Sequence, residues 1–292
     1  MSLANLRAGR RAAAFFAVTG LLVATYPLAI ALGPGARRWS RRFWSRFTCW
    51  LLGIRVSVSA RGAAPFTACP TLFVANHVSY LDAVIVGSHV DALFTAKSEV
   101  DGWPFFGFIA RLTGTLFLKR HWRQARVQRD LIAAGMRRGE SYVLFPEGTS
   151  SNGLGVKPFK TSLLSVAEPW IVDRPVAAQG LTIAYRRLTG SSGASGAYGP
   201  ANCDLYAWYG DMTFAPHLWE VAKLPGLEVE LLFQEPVFSW SVASRKPLTR
   251  AIRAEVVSTL AGPSSSAGAA VAAVAGSATR DGPAELPQAA GY

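Results

Sequence analysis

Cysteine is scarce in this chain: Cys49, Cys69 and Cys203 are its only three, widely spaced and without a C-x-x-C pair. That pattern argues against a disulfide framework and a zinc site, and suits a reducing cytoplasm. There is no H-E-x-x-H and no dense acidic cluster, so no metal site is expected. No Ser or Cys sits in a G-x-S-x-G elbow, which leaves that type of covalent nucleophile unfilled. No internal repeat and no helix-turn-helix, zinc or RNA-binding signature is present. Acidic residues are few, 18 Asp and Glu against 30 Lys and Arg in 292 residues, a formal net charge of +12. Such a balance favours an anionic partner, either nucleic acid or the anionic leaflet of a membrane. Many of the arginines flank an apolar segment, so the membrane is the expected partner and nucleic acid is not.

That segment runs from about Ala12 to Leu32 and carries no charge. About twenty apolar residues suffice to cross a bilayer. Arg7, Arg10 and Arg11 precede it, as they would in a cleaved signal peptide. The run is long for a signal core, however, and Arg37, Arg38, Arg41, Arg42 and Arg46 follow it at once, so a retained anchor is expected. Pro27 leaves a re-entrant or interfacial helix pair open. More basic residues follow the segment than precede it, which places the catalytic part on the cytoplasmic side of an inner membrane. Trp39, Phe43, Trp44, Phe47 and Trp50 interleave with the arginines, a mix suited to an interfacial helix or to an amphipathic helix packed on the domain.

Beyond it, strands and helices alternate, which reads as α/β: a mixed central sheet flanked by helices, with an N-terminal membrane-anchoring helix. Strands are expected at 56–59, 71–75, 92–96, 115–119, 141–145, 180–185 and 227–233. Helices are expected after Ser79 and at 105–112, 122–138, 216–224 and 248–260. The Gly- and Ser-rich stretch 188–201 reads as a flexible loop. From Gly262 the chain is Ala, Gly, Ser and Pro with little charge, and is expected to be disordered. The organisation is therefore an anchor and basic-aromatic segment at 1–50, a catalytic domain at 51–261 and a tail at 262–292.

The chemistry-bearing stretch is Asn76-His77-Val78-Ser79-Tyr80-Leu81-Asp82, directly after the apolar run 71–75. A neutral imidazole is well suited to take a proton from an alcohol near neutral pH. Asp82 is placed to fix the ring tautomer and stabilise the imidazolium. The same residues also fit a capping box, Ser79 with an acid three residues on, in which Asp82 only satisfies backbone N–H groups. His89, His121 and His217 have no Asp at that spacing and read as packing or surface residues, though His121 adjoins Lys119 and Arg120. A second stretch, Phe145-Pro146-Glu147-Gly148-Thr149-Ser150, follows the apolar run 142–144.

Together these blocks resemble the glycerolipid (lysophosphatidate) acyltransferase family. Residues 76–82 look like its H-x-x-x-x-D motif. Gly114-Thr115-Leu116-Phe117-Leu118-Lys119-Arg120 is similar to its second block, Phe145-Pro146-Glu147-Gly148-Thr149 to its third, and Arg174-Pro175-Val176-Ala177-Ala178 more weakly to its fourth. The resemblance covers roughly residues 45–240. It implies an enzyme that moves a fatty acyl group to the free hydroxyl of a lysolipid, with His77 as general base and Asp82 as its partner. Lys119, Arg120, Glu147, Gly148 and Thr149 would bind the acceptor. No cofactor is implied; acyl-CoA or acyl carrier protein is the donor substrate. The chain departs from the family where many members carry Arg after the Thr of the third block. Here Thr149-Ser150-Ser151-Asn152-Gly153 has no charge until Lys157. That departure, with Trp208-Tyr209-Gly210-Asp211-Met212, resembles the lyso-ornithine-lipid branch, whose acceptor bears an amino-acid head group; Lys119, Arg120, Lys157 and Lys160 could replace the missing Arg, which leaves lysophosphatidate open as the acceptor. Asp211 is either a partner for its amine or a solvated loop carboxylate. Two other readings stand beside the transferase: a non-catalytic protein that binds anionic lipid, and a thioesterase in which water replaces the alcohol.

Overall fold

The computed structural model describes residues 2–59, 62–103, 105–119, 122–189 and 204–261. The tail 262–292, Arg120, His121, Cys203 and the loop from residue 190 to 203 lie outside the described residues.

Two long helices, α1 (Leu3–Ala31) and α2 (Pro34–Leu52), come first. They form an antiparallel hairpin. Gly33 supplies its turn with a positive φ of 97°, and Pro34 opens α2, the position where a missing N–H costs nothing. The strands are β1 (Ile54–Val58), β2 (Thr71–Ala75), β3 (Leu93–Lys97), β4 (Leu116–Leu118), β5 (Tyr142–Leu144), β6 (Ala177–Leu188), β7 (Leu227–Phe233) and β8 (Val237–Phe238). The helices between and after them are α3 (Leu81–Gly87), α4 (Phe106–Leu112), α5 (Ala125–Arg137), α6 (Phe214–Lys223) and α7 (Arg245–Ala261).

The sheet order is β1-β7-β6-β2-β5-β3-β4, with β8 beside the start of β6. Strands β6, β2, β5, β3 and β4 are parallel, while β7 runs antiparallel to β6. The sheet is thus mixed, as expected. Its central strands are apolar runs because both faces are covered: every residue of β2 and of β5 is buried. Phe73 and Ala75 of β2 face α2 and α3, in a cluster with Leu52, Leu81 and Ile85. Leu72 and Val74 face the opposite way, packing with Ile132 and Met136 of α5 and Leu248 and Ile252 of α7. This alternation is the two-residue period of a strand.

The expected bounds of β2 and β7 match those observed. Strand β6 is longer than its apolar core suggested, and the two-residue β8 has no signature of its own. The segment 122–138 opens as a 3-10 turn, with α5 proper starting at Ala125. The C-terminal ends of the parallel strands share one edge of the sheet, where sites in open α/β folds collect.

Candidate active site

Strand β2 stops at Ala75, and Asn76 closes its ladder with a side chain. Its Oδ1 accepts from the Ile183 N–H (2.8 Å) and its Nδ2 donates to the Ile183 carbonyl (3.0 Å). The side chain replaces one more rung of β2–β6 pairing. His77 is thereby freed from the sheet at the C-terminal edge.

Asp82, fully buried in the first turn of α3, gathers the residues that precede it. Its Oδ2 lies 2.8 Å from His77 Nδ1 and accepts the backbone N–H groups of Val78 (2.7 Å) and Ser79 (3.1 Å). Its Oδ1 accepts the Tyr185 hydroxyl (2.8 Å). The helix starts at Leu81, and Tyr80 rather than Ser79 occupies its cap position. With Nδ1 committed to Asp82, Nε2 is the nitrogen left for chemistry, on a side chain 22% exposed. The ring stacks on Phe145, centroids 4.3 Å apart and planes 17° from parallel.

Phe145 ends β5 and starts the loop that Pro146, Glu147 and Gly148 turn. Gly148 has a φ of 72°, in the region open to glycine at little cost. Buried Glu147 uses both oxygens on backbone: Oε1 accepts the His77 N–H (2.7 Å) and Oε2 the Lys157 N–H (2.9 Å). Burial pushes its carboxyl up from the ordinary value, against those two bonds, which hold it down. Thr149 is exposed, between Gly148 and buried Ser150. Ser151 donates its backbone N–H to the His77 carbonyl (3.0 Å), so the two loops hold each other.

Aromatic residues form a third wall. Trp208 donates its backbone N–H to the Val78 carbonyl (3.0 Å), and its own carbonyl accepts the Ser150 hydroxyl. Its ring meets Tyr80 and Trp103 edge-on. The Tyr80 hydroxyl lies 3.1 Å from His217 Nδ1 on α6. Burial lifts the Tyr80 phenol and lowers the His217 imidazole from their usual ranges.

The structure thus brings His77, Asp82, Glu147 and Gly148 together. Lys119, exposed just past β4, shares their sheet edge but sits farther along it. Three strand spacings of about 4.8 Å separate β4 from β2. Lys160 lies over Gly148, and Lys157 Nζ donates to the Ser150 carbonyl (2.9 Å). Asp211 is exposed beyond the turn at Gly210. Sequence reasoning missed Tyr185, and it gave no role of their own to Asn76, Tyr80 and Phe145, which stand inside its motifs. Tyr185 is 103 residues from Asp82, and only the pairing of β6 beside β2 brings it close; no local pattern signals it.

Known proteins share this chain's sequence and fold. The family model described as Acyltransferase matches residues 57–179. The lyso-ornithine lipid O-acyltransferase of Rhizobium meliloti (strain 1021) is 37% identical over 220 residues, 74% of this chain and 73% of that protein. That of Brucella abortus (strain 2308) is 36% identical over 84% of this chain and 90% of its own. The crystal structure of the 1-acyl-sn-glycerophosphate (LPA) acyltransferase from Thermotoga maritima shares the fold, with a TM-score of 0.59 at 22% identity, over 87% of this chain and 92% of that one.

Proposed function

We propose, from the premise that this chain belongs to the acyltransferase family, that it acylates the free hydroxyl of lyso-ornithine lipid at a membrane surface, taking the acyl group from acyl-CoA or acyl carrier protein. The observation that carries the chemistry is the His77 Nδ1–Asp82 Oδ2 contact of 2.8 Å on a partly exposed ring at the sheet edge. His77 Nδ1–H donates to Asp82, and Nε2 takes the proton of the lipid hydroxyl. The oxygen attacks the thioester carbonyl, the C–S bond breaks, and the thiolate leaves with the proton returned from Nε2. A thioester needs no enzyme nucleophile when the hydroxyl is activated in place.

Glu147 serves by fixing the His77 backbone. Gly148 and Thr149 border the acceptor's path, and Lys119 lies toward its outer end. The acceptor reading rests on Ser150. Ser150 is 4% exposed and its hydroxyl donates to the Trp208 carbonyl, so the backbone at Trp208 lies against the position where many family members carry an arginine. Asp211 is then a carboxylate at the mouth for a cationic head group. The names of the relatives from Rhizobium meliloti and Brucella abortus support the same acceptor.

The hairpin provides the membrane contact. Both of its ends return to the catalytic domain. Arg11 Nη1 donates to the Ala222 (3.1 Å) and Leu224 (2.7 Å) carbonyls at the end of α6, and α2 runs straight into β1. Arg38 and Arg41 pair with Asp91, and Arg42 and Arg46 hold carbonyls at the end of α3. Charged residues in hydrocarbon cost roughly 2.5–3.5 kcal/mol each on insertion scales, so α2 does not cross. Leu21, Leu28 and Ile30 of α1 with Trp39, Phe43 and Trp50 of α2 are left exposed, a surface suited to one leaflet, the cytoplasmic leaflet of the inner membrane.

Two experiments test this. His77→Ala is expected to lower turnover roughly 100- to 10,000-fold with little change in Tm; near wild-type formation of diacyl lipid removes His77 as base. Purified enzyme given labelled acyl thioester with lyso-ornithine lipid and lysophosphatidate in competition is expected to acylate the former faster. Ser150→Arg, which must displace Trp208, is expected to shift the product ratio toward phosphatidate. A lysophosphatidate preference untouched by Ser150→Arg overturns the acceptor reading, and release of free fatty acid alone points to a thioesterase.

A further inference from the structure

We infer that Tyr185 is a positioning residue of the acyl transfer, acting through Asp82 on His77. The inference rests on the proposed roles of those two residues. Asp82 is wholly buried, and its oxygens are unequally supplied. Three donors reach Oδ2: His77 Nδ1, Val78 N–H and Ser79 N–H. Oδ1 has the Tyr185 hydroxyl at 2.8 Å. A buried carboxylate oxygen without a donor is costly, and the group relieves that cost by taking a proton or turning. Either response removes the acceptor that holds the imidazole.

The sheet aims the hydroxyl. Leu181 of β6 pairs with Ala75, the last residue of β2, and β6 continues past that edge. Tyr185 is four residues further on, level with the start of α3, and opposite Val229 of β7. The β6–β7 register slips between Tyr185 and Arg187, and such bulges redirect side chains near sites. The ring packs in the core with Leu81, Ile183 and Tyr206. Burial first, and then Asp82, raise the phenol well above its ordinary range. It therefore stays protonated and serves as a donor to the carboxylate.

The other titratable groups around the pair are Glu147 and Lys157 from the loop after β5, Lys160 over Gly148, Tyr80 before α3, and His217 of α6 behind Tyr80. None of them donates to Oδ1.

Tyr185→Phe keeps the ring and removes the donor. It is expected to lower kcat roughly 10- to 150-fold, the scale of a hydrogen bond to a charged group, with KM for the lysolipid within about twofold. The acid limb of the kcat/KM profile should move to higher pH, because a less stabilised Asp82 holds protons on the pair more tightly. In an Asp82→Asn background the same change should add less than about a twofold effect. A purely structural role would lower Tm and leave the limb in place. Incorporating 3-fluorotyrosine at 185, a stronger donor of nearly the same size, should move the limb the opposite way, and it keeps the question open to test if Tyr185→Phe folds poorly. Wild-type kcat with an unmoved limb in Tyr185→Phe, or no movement with 3-fluorotyrosine, overturns the inference. Failure of the underlying reading shows separately, as an active His77→Ala enzyme.

Discussion

At the residue scale, the two readings of Asp82 become one arrangement. The oxygen that meets His77 also accepts the Val78 and Ser79 N–H groups, so holding the loop that enters α3 and holding the imidazole are inseparable, although the cap position itself falls to Tyr80 and not to Ser79. The local spacing made both visible. Glu147 was legible as a candidate near His77 but not in its contacts, because its partners, the N–H groups of His77 and Lys157, belong to two separate loops. Glu147→Gln tests those contacts. An amide has one acceptor oxygen, so one buried backbone N–H must face an NH2 group. We expect a loss of about 1–2 kcal/mol, after relief of the cost of burying the charge. In a chain of this size that is a fall in Tm of several degrees. Turnover should drop about tenfold while KM for the lysolipid holds. A raised KM with unchanged kcat would mean that Glu147 grips the acceptor directly, and calorimetry with steady-state kinetics separates the outcomes.

At the scale of elements, strands β2 and β7 were readable to the residue: the apolar run of β2 ends at Asn76, and the alternation of β7, with Glu228 and Glu230 between apolar neighbours, ends at Gln234. Helix α1 was readable as an apolar segment ending near residue 32, but not in its start, which is Leu3 rather than Ala12, nor in its disposition. Its hydropathy is the same whether it crosses a membrane or folds back on α2. What hydropathy leaves out is Arg11 on carbonyls 211 to 214 residues away, with Arg7 on the Lys223 carbonyl (2.9 Å) beside it. These guanidinium groups satisfy the last carbonyls of α6, where a cation also meets the negative end of the helix dipole. Arg11→Ala is therefore expected to quicken amide hydrogen exchange in the last turn of α6 roughly tenfold, corresponding to about 1.4 kcal/mol. A modest loss of activity should accompany it, since α6 also carries His217 and Phe214 against Tyr80. Unaltered exchange would show that apolar contact alone holds α1, through Phe15 and Phe16 on Phe105 and Phe106.

At the scale of the whole molecule, the return of both hairpin ends to one domain has a kinetic consequence. On the proposed reading the enzyme is moored along a single leaflet and meets its lipid substrate by lateral diffusion. The relevant concentration is then the number of lysolipid molecules per unit of surface, not per litre. Holding total lysolipid constant while adding inert phospholipid or detergent should slow the reaction in proportion to the falling mole fraction. Adding more vesicles of the same composition, once all enzyme is adsorbed, should leave the rate unchanged. A rate that follows bulk lysolipid and ignores mole fraction would mean that the acceptor arrives through water. On the two-dimensional picture, the cell sets the speed of this step by how crowded the leaflet is with lysolipid.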